Sequence, residues 1–310
     1  MTCRPDLLRR VTVVVLTHDR RTELLRTLDK VAKARDGGAP EVPEVIVVDN
    51  ASTYDAAQVV RAAFPDVRLI RLRRNIGGAG RNAGVAAART PYVALCDDDT
   101  WWAAGSLEVA VDALDRQPRV AVVCARVLVG PEERLDDACA QMARSPLERL
   151  SPGDTVADGY AVLGFLAGAC VVRRDAFMAV GGFDERFFIG GEEELLALDL
   201  AVRGWQLRYI PAAVVHHHPS ANRDPARRRL VMLRNRLWIG VLRYPPPLLA
   251  RQAREVLAEA GRQGLRLRVL AETARAVAGL VRDRRPLPSS VSRQVELLHC
   301  HLSDIPGSPA

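Results

Sequence analysis

The sequence of 310 residues predicts an α/β fold, with a mostly parallel sheet flanked by helices and a helical C-terminal extension. Three observations lead to this prediction. Short runs of β-branched and other apolar residues alternate with segments of helical periodicity in the N-terminal part of the chain. Polar clusters follow three of those runs, where parallel sheets bind their ligands. From about Leu230 onward the pattern is mainly helical.

The N-terminal part contains four predicted strands, each an apolar run of the buried type. They lie at residues 11–17, 44–50, 67–72 and 92–99. Between them, residues 18–34 and 55–64 have apolar residues at helical spacing, and residues 36–43 form a polar loop. The glycine-rich stretch "NIGGAGRNAG" precedes the fourth strand and leads into a third helix. Strands and helices of this length imply parallel pairing with helices on both faces.

The second half is less regular. Residues 119–129 are typical of a strand pair or of one bent strand, and residues 131–154 indicate weak structure. A strand and a short helix precede the turn "GGFDE", and the helix of "EEELLALDLAVRGW" ends at Gly204. The next strand ends in three histidines. We divide the chain into a catalytic domain at 1–225, with a nucleotide-binding half to about residue 100 and an acceptor half after it, and a helical extension at 226–310 with a flexible tail after about 286.

Charge, cysteine content and hydropathy limit the possible partners and location of the protein. The formal net charge of +7 comes from 44 Lys and Arg against 37 Asp and Glu, which is weak evidence for a nucleic-acid partner, and we predict none. The six cysteines are scattered without a CxxC pair, which favours reduced thiols and a cytoplasmic protein. We expect neither a signal peptide nor a membrane-spanning segment.

The triplet Asp97, Asp98 and Asp99 closes the fourth predicted strand. Adjacent carboxylates repel one another unless cations or donors gather beside them, and Mg²⁺ or Mn²⁺ prefers such oxygen ligands. In an extended segment Asp97 and Asp99 would point to one side and Asp98 to the other. The alternative is a solvated acidic turn that caps a helix beginning near Trp101, with Thr100 or Asp99 as the N-cap.

Other motifs each have a functional and a structural interpretation. The glycine-rich stretch lacks the spacing of a phosphate-binding P-loop, so it is as consistent with a tight helix entry. Asp49, at the end of the second strand, could accept a base N–H or form an Asx turn. The three glutamates before "LLALDL" could be ordinary charges of a first helical turn. The histidine triplet could complete a metal site, with at most two of its members facing inward.

Taken together and in this order, the motifs resemble those of family 2 nucleotide-sugar glycosyltransferases with the GT-A fold, which has a Rossmann-like nucleotide-binding sheet. The resemblance rests on "VVVLTHDR", "EVIVVDNAS", "NIGGAGRNAG", "YVALCDDD", "GGFDERFF", the "EEE" helix with "RGW" after it, and "PAAVVHHH". It covers residues 11–219. It implies an inverting, metal-dependent transfer of a sugar from a nucleotide-diphosphate donor to a hydroxyl group.

The resemblance also implies which residues bind the donor, a UDP-sugar as the first choice or a dTDP-sugar. They are Thr17, Asp19, Asp49, Arg81, Asn82, Asp97, Asp98 and Trp101. Asp49 would face the base, while Arg81 and Asn82 would support the ribose or the pyrophosphate. Trp101 and Trp102 would form a wall near the donor sugar. The first strand departs from the family pattern, since His18-Asp19 stands where Tyr-Asn or Phe-Asn is common.

The metal and the catalytic base follow from the same resemblance. It implies that Asp99 and His217 bind Mg²⁺ or Mn²⁺, with the roles of the flanking histidines left open. Counting back from the "RGW" tripeptide places the family's Glu-Asp pair on Glu192 and Glu193. Glu193 is therefore the expected base for the acceptor hydroxyl, and Glu192 is the second choice. Glutamate replaces the usual aspartate here, which keeps the carboxylate and lengthens its reach by a methylene.

Two alternative functions stay open, a sugar-phosphate nucleotidyltransferase-like enzyme and a non-catalytic nucleotide-sugar-binding module. The acceptor also stays open among a glycan, a lipid-linked glycan and a small natural product, with its contacts expected at residues 131–159 and in the C-terminal helices. Those Arg-rich helices, with Trp238, Leu242 and Tyr244, could rest peripherally on the inner face of an anionic membrane. The alternative is a helical lid whose arginines are solvated. The sequence carries no indication of oligomeric state.

Overall fold

The computed structural model describes residues 7–36, 43–147, 159–220 and 225–303. Its strands, numbered in chain order, are β1 Val11–Thr17, β2 Glu44–Asp49, β3 Arg68–Arg71, β4 Tyr92–Asp97, β5 Thr100–Trp102, β6 Val120–Val129, β7 Arg134–Leu135, β8 Tyr160–Val162, β9 Ala169–Arg173 and β10 Gln206–His217. The helices are α1 Arg21–Asp36, α2 Ala56–Ala63, α3 Arg81–Ala87, α4 Ser106–Arg116, α5 Asp137–Met142, α6 Arg174–Ala179, α7 Glu192–Val202, α8 Pro225–Arg243, α9 Pro246–Arg262, α10 Arg266–Arg282 and α11 Ser289–Ser303.

Within the described ranges the strands form one mixed sheet with the order β3-β2-β1-β4-β9-β6-β10-β5, with β7 on β6 and β8 on β10. The nucleotide-binding half, β1 to β4, is parallel. Strand β9 pairs antiparallel with both β4 and β6. Thr17 pairs with Asp49, and Leu16 pairs with Asp97. The carboxyl ends of β1, β2 and β4 therefore meet at one edge, as the sequence predicts.

The hydrophobic core lies between the sheet and the helices on its two faces. The strands are continuous β-branched runs, so their side chains are buried on both faces. The side chains of Val13, Val14 and Val15 are at most 1% exposed. Helix α3 approaches the sheet so closely that a Cβ on Gly84 would lie 2.4 Å from Val14 Cγ1. The glycine is thus required for helix-to-sheet contact at this point.

The predicted fourth strand is too long. β4 ends at Asp97, Asp98 and Asp99 form a turn, and β5 begins at Thr100. The prediction that Asp97 and Asp99 point to one side of an extended strand, and Asp98 to the other, is therefore wrong. The predicted helix near Trp101 is also wrong, because α4 begins at Ser106. The turn forms because the Thr100 hydroxyl accepts the Asp97 N–H (2.8 Å) and donates to the carbonyl of Gly168 (3.0 Å).

The second half decides one open alternative and corrects one prediction. Residues 120–129 form a single strand, so the strand-pair alternative is wrong; its pairing with β10 shifts register at Ala121, and the two-residue β7 folds against its end. Helix α5 lies in the segment predicted to have weak structure. The part of the predicted acceptor segment at 148–158 lies outside the described residues.

The C-terminal extension is helical, and the prediction of a flexible tail after about residue 286 is wrong as far as Ser303. Helix α11 occupies Ser289–Ser303, and its Val291 and Val295 are 3% and 4% exposed. They belong to an apolar cluster that also contains Phe187 and Leu195 of the preceding part of the chain. Helix α8 begins at the predicted boundary, but the division into two domains stays a prediction because this core is shared.

The residues expected to rest on a membrane are core residues. Trp238, Leu242 and Tyr244 are 6%, 0% and 2% exposed in that same cluster. The prediction of a membrane contact through these three side chains is therefore wrong. Among the residues that the structure describes, no helix has both the length and the apolarity needed to cross a bilayer.

Candidate active site

Asp98 lies at the centre of the carboxyl edge of the sheet. Its Oδ2 accepts a hydrogen bond from Thr17 Oγ1 (2.9 Å), and its carbonyl accepts one from Thr27 Oγ1 (2.7 Å). Burial is the main reason why the pKa of the Asp98 carboxyl is raised to about 7. Arg20 acts to lower this pKa, and the charges of Asp97 and Asp99 act to raise it. The predicted donor residues Thr17 and Asp98 are thus brought together by the parallel pairing of β1 and β4.

Arg20 is a cation that the sequence analysis did not place at this site. Its Nη1 lies 3.2 Å from Asp98 Oδ1 and 3.1 Å from Asp99 Oδ2. One guanidinium therefore offsets the repulsion between two adjacent buried carboxylates. The sequence contains a signal for this cation, because Arg20 directly follows the first-strand motif "THD".

The predicted metal ligands Asp99 and His217 lie side by side, with His217 Nε2 3.6 Å from Asp99 Oδ1. The antiparallel pairing of β10 with β5 sets this register by placing His217 opposite Thr100. Across the described ranges no group of three or more His, Cys, Asp or Glu side chains could hold a metal ion by itself. A carboxylate and an imidazole are suitable ligands for Mn²⁺ or Mg²⁺ when a diphosphate supplies further oxygens.

The flanking histidines have other contacts. His216 Nδ1 lies 3.3 Å from Glu133 Oε1, and the ring of His218 packs on Trp101 with ring centroids 4.8 Å apart. Burial lowers the pKa of His218, as do the nearby cations Arg26 and Lys30. Of the three histidines, His217 is therefore the one whose ring faces Asp99.

The two predicted wall tryptophans separate because β5 is extended. Trp102 is 6% exposed in the core, so the prediction of a two-tryptophan wall is wrong for this residue. Trp101 points to the other face, where Arg26 and Lys30 lie 6.0 and 5.7 Å from its ring centroid. Its role beside the donor sugar stays a prediction.

Asp49 is the candidate for recognising the base. The side chain is fully buried, and its Oδ1 accepts the Ser52 N–H at 2.9 Å. Its Oδ2 accepts no hydrogen bond from the residues that the structure describes, and it lies 3.6 Å from Arg71 Nε. Tyr54, which the sequence analysis did not single out, lies nearby, and burial together with Asp49 and Asp98 raises the pKa of its hydroxyl. A buried carboxylate oxygen with spare capacity suits a base N–H.

Asp19 is held by the loop that follows β2. Its Oδ1 accepts hydrogen bonds from Thr53 N (2.7 Å) and Thr53 Oγ1 (2.8 Å), and the bond from the Thr53 N–H lowers the pKa of Asp19. Asp19 has φ 53° and Ala51 has φ 62°, an uncommon conformation for residues other than glycine. The observed contacts of Asp19 fix two strand-end loops to each other, and its contact with the base stays a prediction.

Arg81 connects two parts of the site. This residue is 6% exposed, its Nη2 forms an ion pair with Asp97, and its Nη1 donates to the carbonyl of Gly78 (3.2 Å). Burial alone would lower the pKa of its guanidinium, but Asp97, Glu193 and Glu192 raise it above its usual range. The cation therefore lies among the aspartate at the end of β4 and the two candidate bases of α7. Its predicted contact with the ribose or pyrophosphate stays a prediction.

The glycine-rich stretch packs against the segment that leads to α7. The N–H of Gly78 donates to Phe188 O at 2.6 Å, and a Cβ on Gly77 would lie 1.7 Å from that oxygen. A Cβ on Gly78 would lie 2.4 Å from Glu192 Oε1. Gly77, with φ 64°, is thus needed for close contact with the segment that leads to α7, which supports the helix-entry interpretation.

The side chain of Asn82 forms two hydrogen bonds with the main chain of Phe183. Its Nδ2 donates to Phe183 O (2.8 Å), and its Oδ1 accepts from Phe183 N (2.9 Å). The side chain thereby holds the turn at Gly181 and Gly182 against α3. Its role at the ribose or pyrophosphate stays a prediction that these contacts do not support.

The three glutamates of α7 have different environments. Glu192 is 3% exposed, and burial together with Glu193 raises the pKa of its carboxyl to about 8. Glu193 is half-buried at the same end of the helix. Glu194 instead accepts a hydrogen bond from the Tyr244 hydroxyl of the C-terminal helices (3.0 Å). Glu193 is the more accessible of the two carboxylates to an acceptor hydroxyl, which favours it over Glu192 as a base.

Asn235 of α8 is a third residue, after Arg20 and Tyr54, that the sequence did not predict at this site. The side chain is fully buried, and its Nδ2 lies within hydrogen-bonding distance of three carbonyls, those of Phe187 (2.8 Å), Ile189 (3.1 Å) and Gly190 (2.5 Å). This segment leads directly into α7 and its glutamates. A single asparagine on an Arg-rich helix gives no pattern from which this contact could be predicted.

Asn235→Ala is expected to destabilise the protein by about 2 kcal/mol, because it leaves buried carbonyls without a donor. It should also lower kcat, since the segment before Glu192 and Glu193 loses its support. Urea unfolding and steady-state kinetics measure the two effects. Gln252→Ala is the matched control, since Gln252 is also buried and donates to Arg236 O (3.0 Å) away from this segment. An equal loss of kcat in both variants would contradict the assigned role.

The sequence is similar to those of known glycosyltransferases. A family model described as "Glycosyl transferase family 2" matches residues 12–181. The chain is 30% identical to the N-acetylglucosaminyl-diphospho-decaprenol L-rhamnosyltransferase of Mycobacterium tuberculosis, over 69% of this chain and 78% of that protein. It is also 30% identical to the pre-mycofactocin glycosyltransferase of the same organism, over 70% of this chain but only 44% of that protein.

The fold has solved counterparts. The mannosyltransferase PcManGT of Pyrobaculum calidifontis, in complex with GDP-Man and Mn²⁺, superposes with a TM-score of 0.59 and 20% identity, over 97% of this chain and 88% of that chain. GalNAc-T7, with UDP, GalNAc and Mn²⁺, gives a TM-score of 0.57 and 16% identity over 77% of this chain and 49% of that chain. These similarities confirm the predicted GT-A fold.

Proposed function

The chain belongs to glycosyltransferase family 2, and on that premise we propose that it is an inverting, divalent-metal-dependent enzyme that transfers a sugar from a UDP- or dTDP-sugar to a hydroxyl of a lipid-linked glycan. The observation that carries the proposal is the position of Arg81 among Asp97, Glu192 and Glu193. It brings the donor-binding end of β4 next to a candidate base, as direct displacement at a sugar carbon requires.

The donor is bound by residues at three strand ends. Asp49 accepts the N–H of the base through its second carboxylate oxygen. Thr17 and Asp98, joined by their hydrogen bond, contact the sugar of the nucleotide. Asp99 and His217 would hold Mn²⁺ or Mg²⁺, which supplies Lewis-acid stabilisation of the diphosphate leaving group.

The acceptor is activated from the α7 side. Glu193 takes the proton of the acceptor hydroxyl as that oxygen bonds to the anomeric carbon, while the bond from this carbon to the diphosphate oxygen breaks and its electron pair leaves with the phosphate. Glu192 lies beside it, and burial together with Glu193 raises the pKa of its carboxyl. Attack opposite to the leaving group inverts the configuration at the anomeric carbon.

The relatives support the choice of sugar and acceptor. The mycobacterial relative that is similar over 78% of its length is named as a rhamnosyltransferase acting on a decaprenol-linked diphospho-sugar. We therefore favour a deoxyhexosyl or hexosyl donor and a polyprenol-linked acceptor over a small natural product. The described cysteines are free thiols, which agrees with action on the cytoplasmic side, at the inner membrane face.

A donor screen tests this function. The purified protein with Mn²⁺ is expected to hydrolyse a UDP- or dTDP-sugar slowly, and the matching nucleoside diphosphate should raise its Tm only when metal is present. GDP and CTP serve as mismatched nucleotides. Pyrophosphate release from a nucleoside triphosphate and a sugar 1-phosphate would instead indicate a nucleotidyltransferase. A Tm that responds to no nucleotide, with or without metal, would overturn the proposal.

A further inference from the structure

Helix α10 has an apolar face that the rest of the described structure leaves exposed. The residues of this face are Leu267, Leu270, Ala271, Ala274, Val277, Ala278 and Val281, all of them exposed. Leu267 is 82% exposed and Val281 is 57% exposed. Their spacing of three and four residues places them within a sector of about 120° of the helix. An apolar stripe of this length on a fixed helix normally contacts something.

The opposite face of α10 is already packed. Val269 and Leu280 are fully buried, and Thr273 Oγ1 accepts a hydrogen bond from Trp238 Nε1 (3.1 Å). Glu272 forms an ion pair with Arg234 of α8 (3.1 Å). The orientation of the helix is therefore set by its packed face, and the exposed stripe is not a core face turned outward.

Arginines flank the stripe. Arg268, Arg275 and Arg282 recur every seven residues along one side and are exposed. Glu272 is the single acidic residue within α10, and it is paired with Arg234. Asp283, directly after the helix, lies 2.9 Å from Arg186 and 3.1 Å from Arg282. The exposed face thus combines aliphatic side chains with a net positive charge, carried by Arg268 and Arg275.

We propose that this face of α10 binds the surface of an anionic lipid bilayer, with the helix axis in the plane of the interface. The aliphatic side chains would enter the boundary between headgroups and acyl chains, and the arginines would pair with lipid phosphates. A second copy of the chain is a poorer occupant, because antiparallel pairing of two such faces would bring their arginine-bearing sides together. The inference rests on the proposed function in one respect, that a polyprenol-linked acceptor lies at such a surface.

The contacts of α8 connect this face to the candidate active site. Arg234 bonds to Glu272 of α10 through Nη1 (3.1 Å) and to Phe187 O through Nη2 (3.3 Å). Its neighbour Asn235 holds the same segment before α7. A bilayer bound by α10 would therefore have a set position relative to Glu193.

Vesicle flotation of the full chain tests the inference. The protein is expected to float with vesicles of phosphatidylcholine and phosphatidylglycerol and far less with phosphatidylcholine alone. The triple variant Leu267→Gln, Val277→Gln, Val281→Gln should lower the bound fraction at least tenfold. The pair Arg268→Glu, Arg275→Glu should remove the preference for anionic vesicles. Met178→Gln with Val202→Gln is the matched control, since these exposed side chains lie on α6 and α7, and it should bind like the wild type.

Two results would overturn the inference. One is unchanged flotation of the triple variant, and the other is a change of its oligomeric state in light scattering, which would identify the face as an interface between copies. Circular dichroism checks that the variants fold, and hydrolysis of a soluble nucleotide-sugar should be unchanged in them. Flotation does not depend on sugar transfer, so a protein without transferase activity that still binds anionic vesicles would contradict the proposed function alone.

Discussion

Glu193→Gln is expected to lower kcat by roughly 10³-fold while leaving the Kd for the nucleotide-sugar nearly unchanged. The amide keeps the size of the side chain at the start of α7 but cannot accept the proton of the acceptor hydroxyl. The proposed donor-binding residues Thr17, Asp49 and Asp98 lie at or just after the ends of β1, β2 and β4 and keep their contacts. Single-turnover transfer measures the rate, and calorimetric titration with the nucleoside diphosphate measures binding.

The neighbouring glutamates provide matched controls. Glu192→Gln mimics the protonated carboxyl that burial already favours, so its rate should fall much less than that of Glu193→Gln. Glu194→Gln alters a side chain that faces Tyr244, and it should leave transfer close to the wild-type rate. A Glu193→Gln enzyme that transfers at the wild-type rate, or a larger loss in Glu192→Gln, would contradict the choice of base.

Asp99→Ala is expected to abolish the metal-dependent part of nucleoside diphosphate binding, with a loss of affinity of about 10²-fold in the presence of Mn²⁺. Asp99 supplies the carboxylate beside His217, and an imidazole alone is a weak site for a hard cation. Titrations with UDP or dTDP in Mn²⁺ and in a chelator separate the metal-dependent part from the rest. The substitution removes one of the two carboxylates beside Arg20, so metal-independent binding is expected to persist.

Two companion variants make this result specific. Asp99→Asn keeps the size of the side chain and should show the same loss, which excludes a cavity as the cause. Asp112→Ala removes an exposed carboxylate of α4 that pairs with Arg116, and it should bind the nucleotide like the wild type. Equal affinity of Asp99→Ala in Mn²⁺ and in the chelator is expected; a Mn²⁺ dependence like that of the wild type would contradict the assignment.

Much of the nucleotide-binding half could be predicted because its signals are local. Buried parallel strands need continuous β-branched runs, so the bounds of β1 and β2 follow from the sequence to within a residue. The polar residues after these runs must meet at one edge, because parallel strands share the direction of their carboxyl ends. The second half of the chain was harder to predict from sequence, because β9 pairs antiparallel with its neighbours and α5 belongs to a segment without clear periodicity.

The amino-acid pattern alone determined the α/β class, the family and the residue types available at the site, because periodicity and short motifs are properties of neighbouring residues. Only the tertiary structure decided which partners those residues have. Arg20 bridges Asp98 and Asp99, Arg81 lies among Asp97 and the glutamates, Asn235 holds the segment before α7, and α10 keeps an exposed apolar face. The three contacts join residues from different secondary-structure elements, and the exposed face of α10 depends on which elements pack beside it. The charge balance and exposure of a side chain depend on everything packed around it.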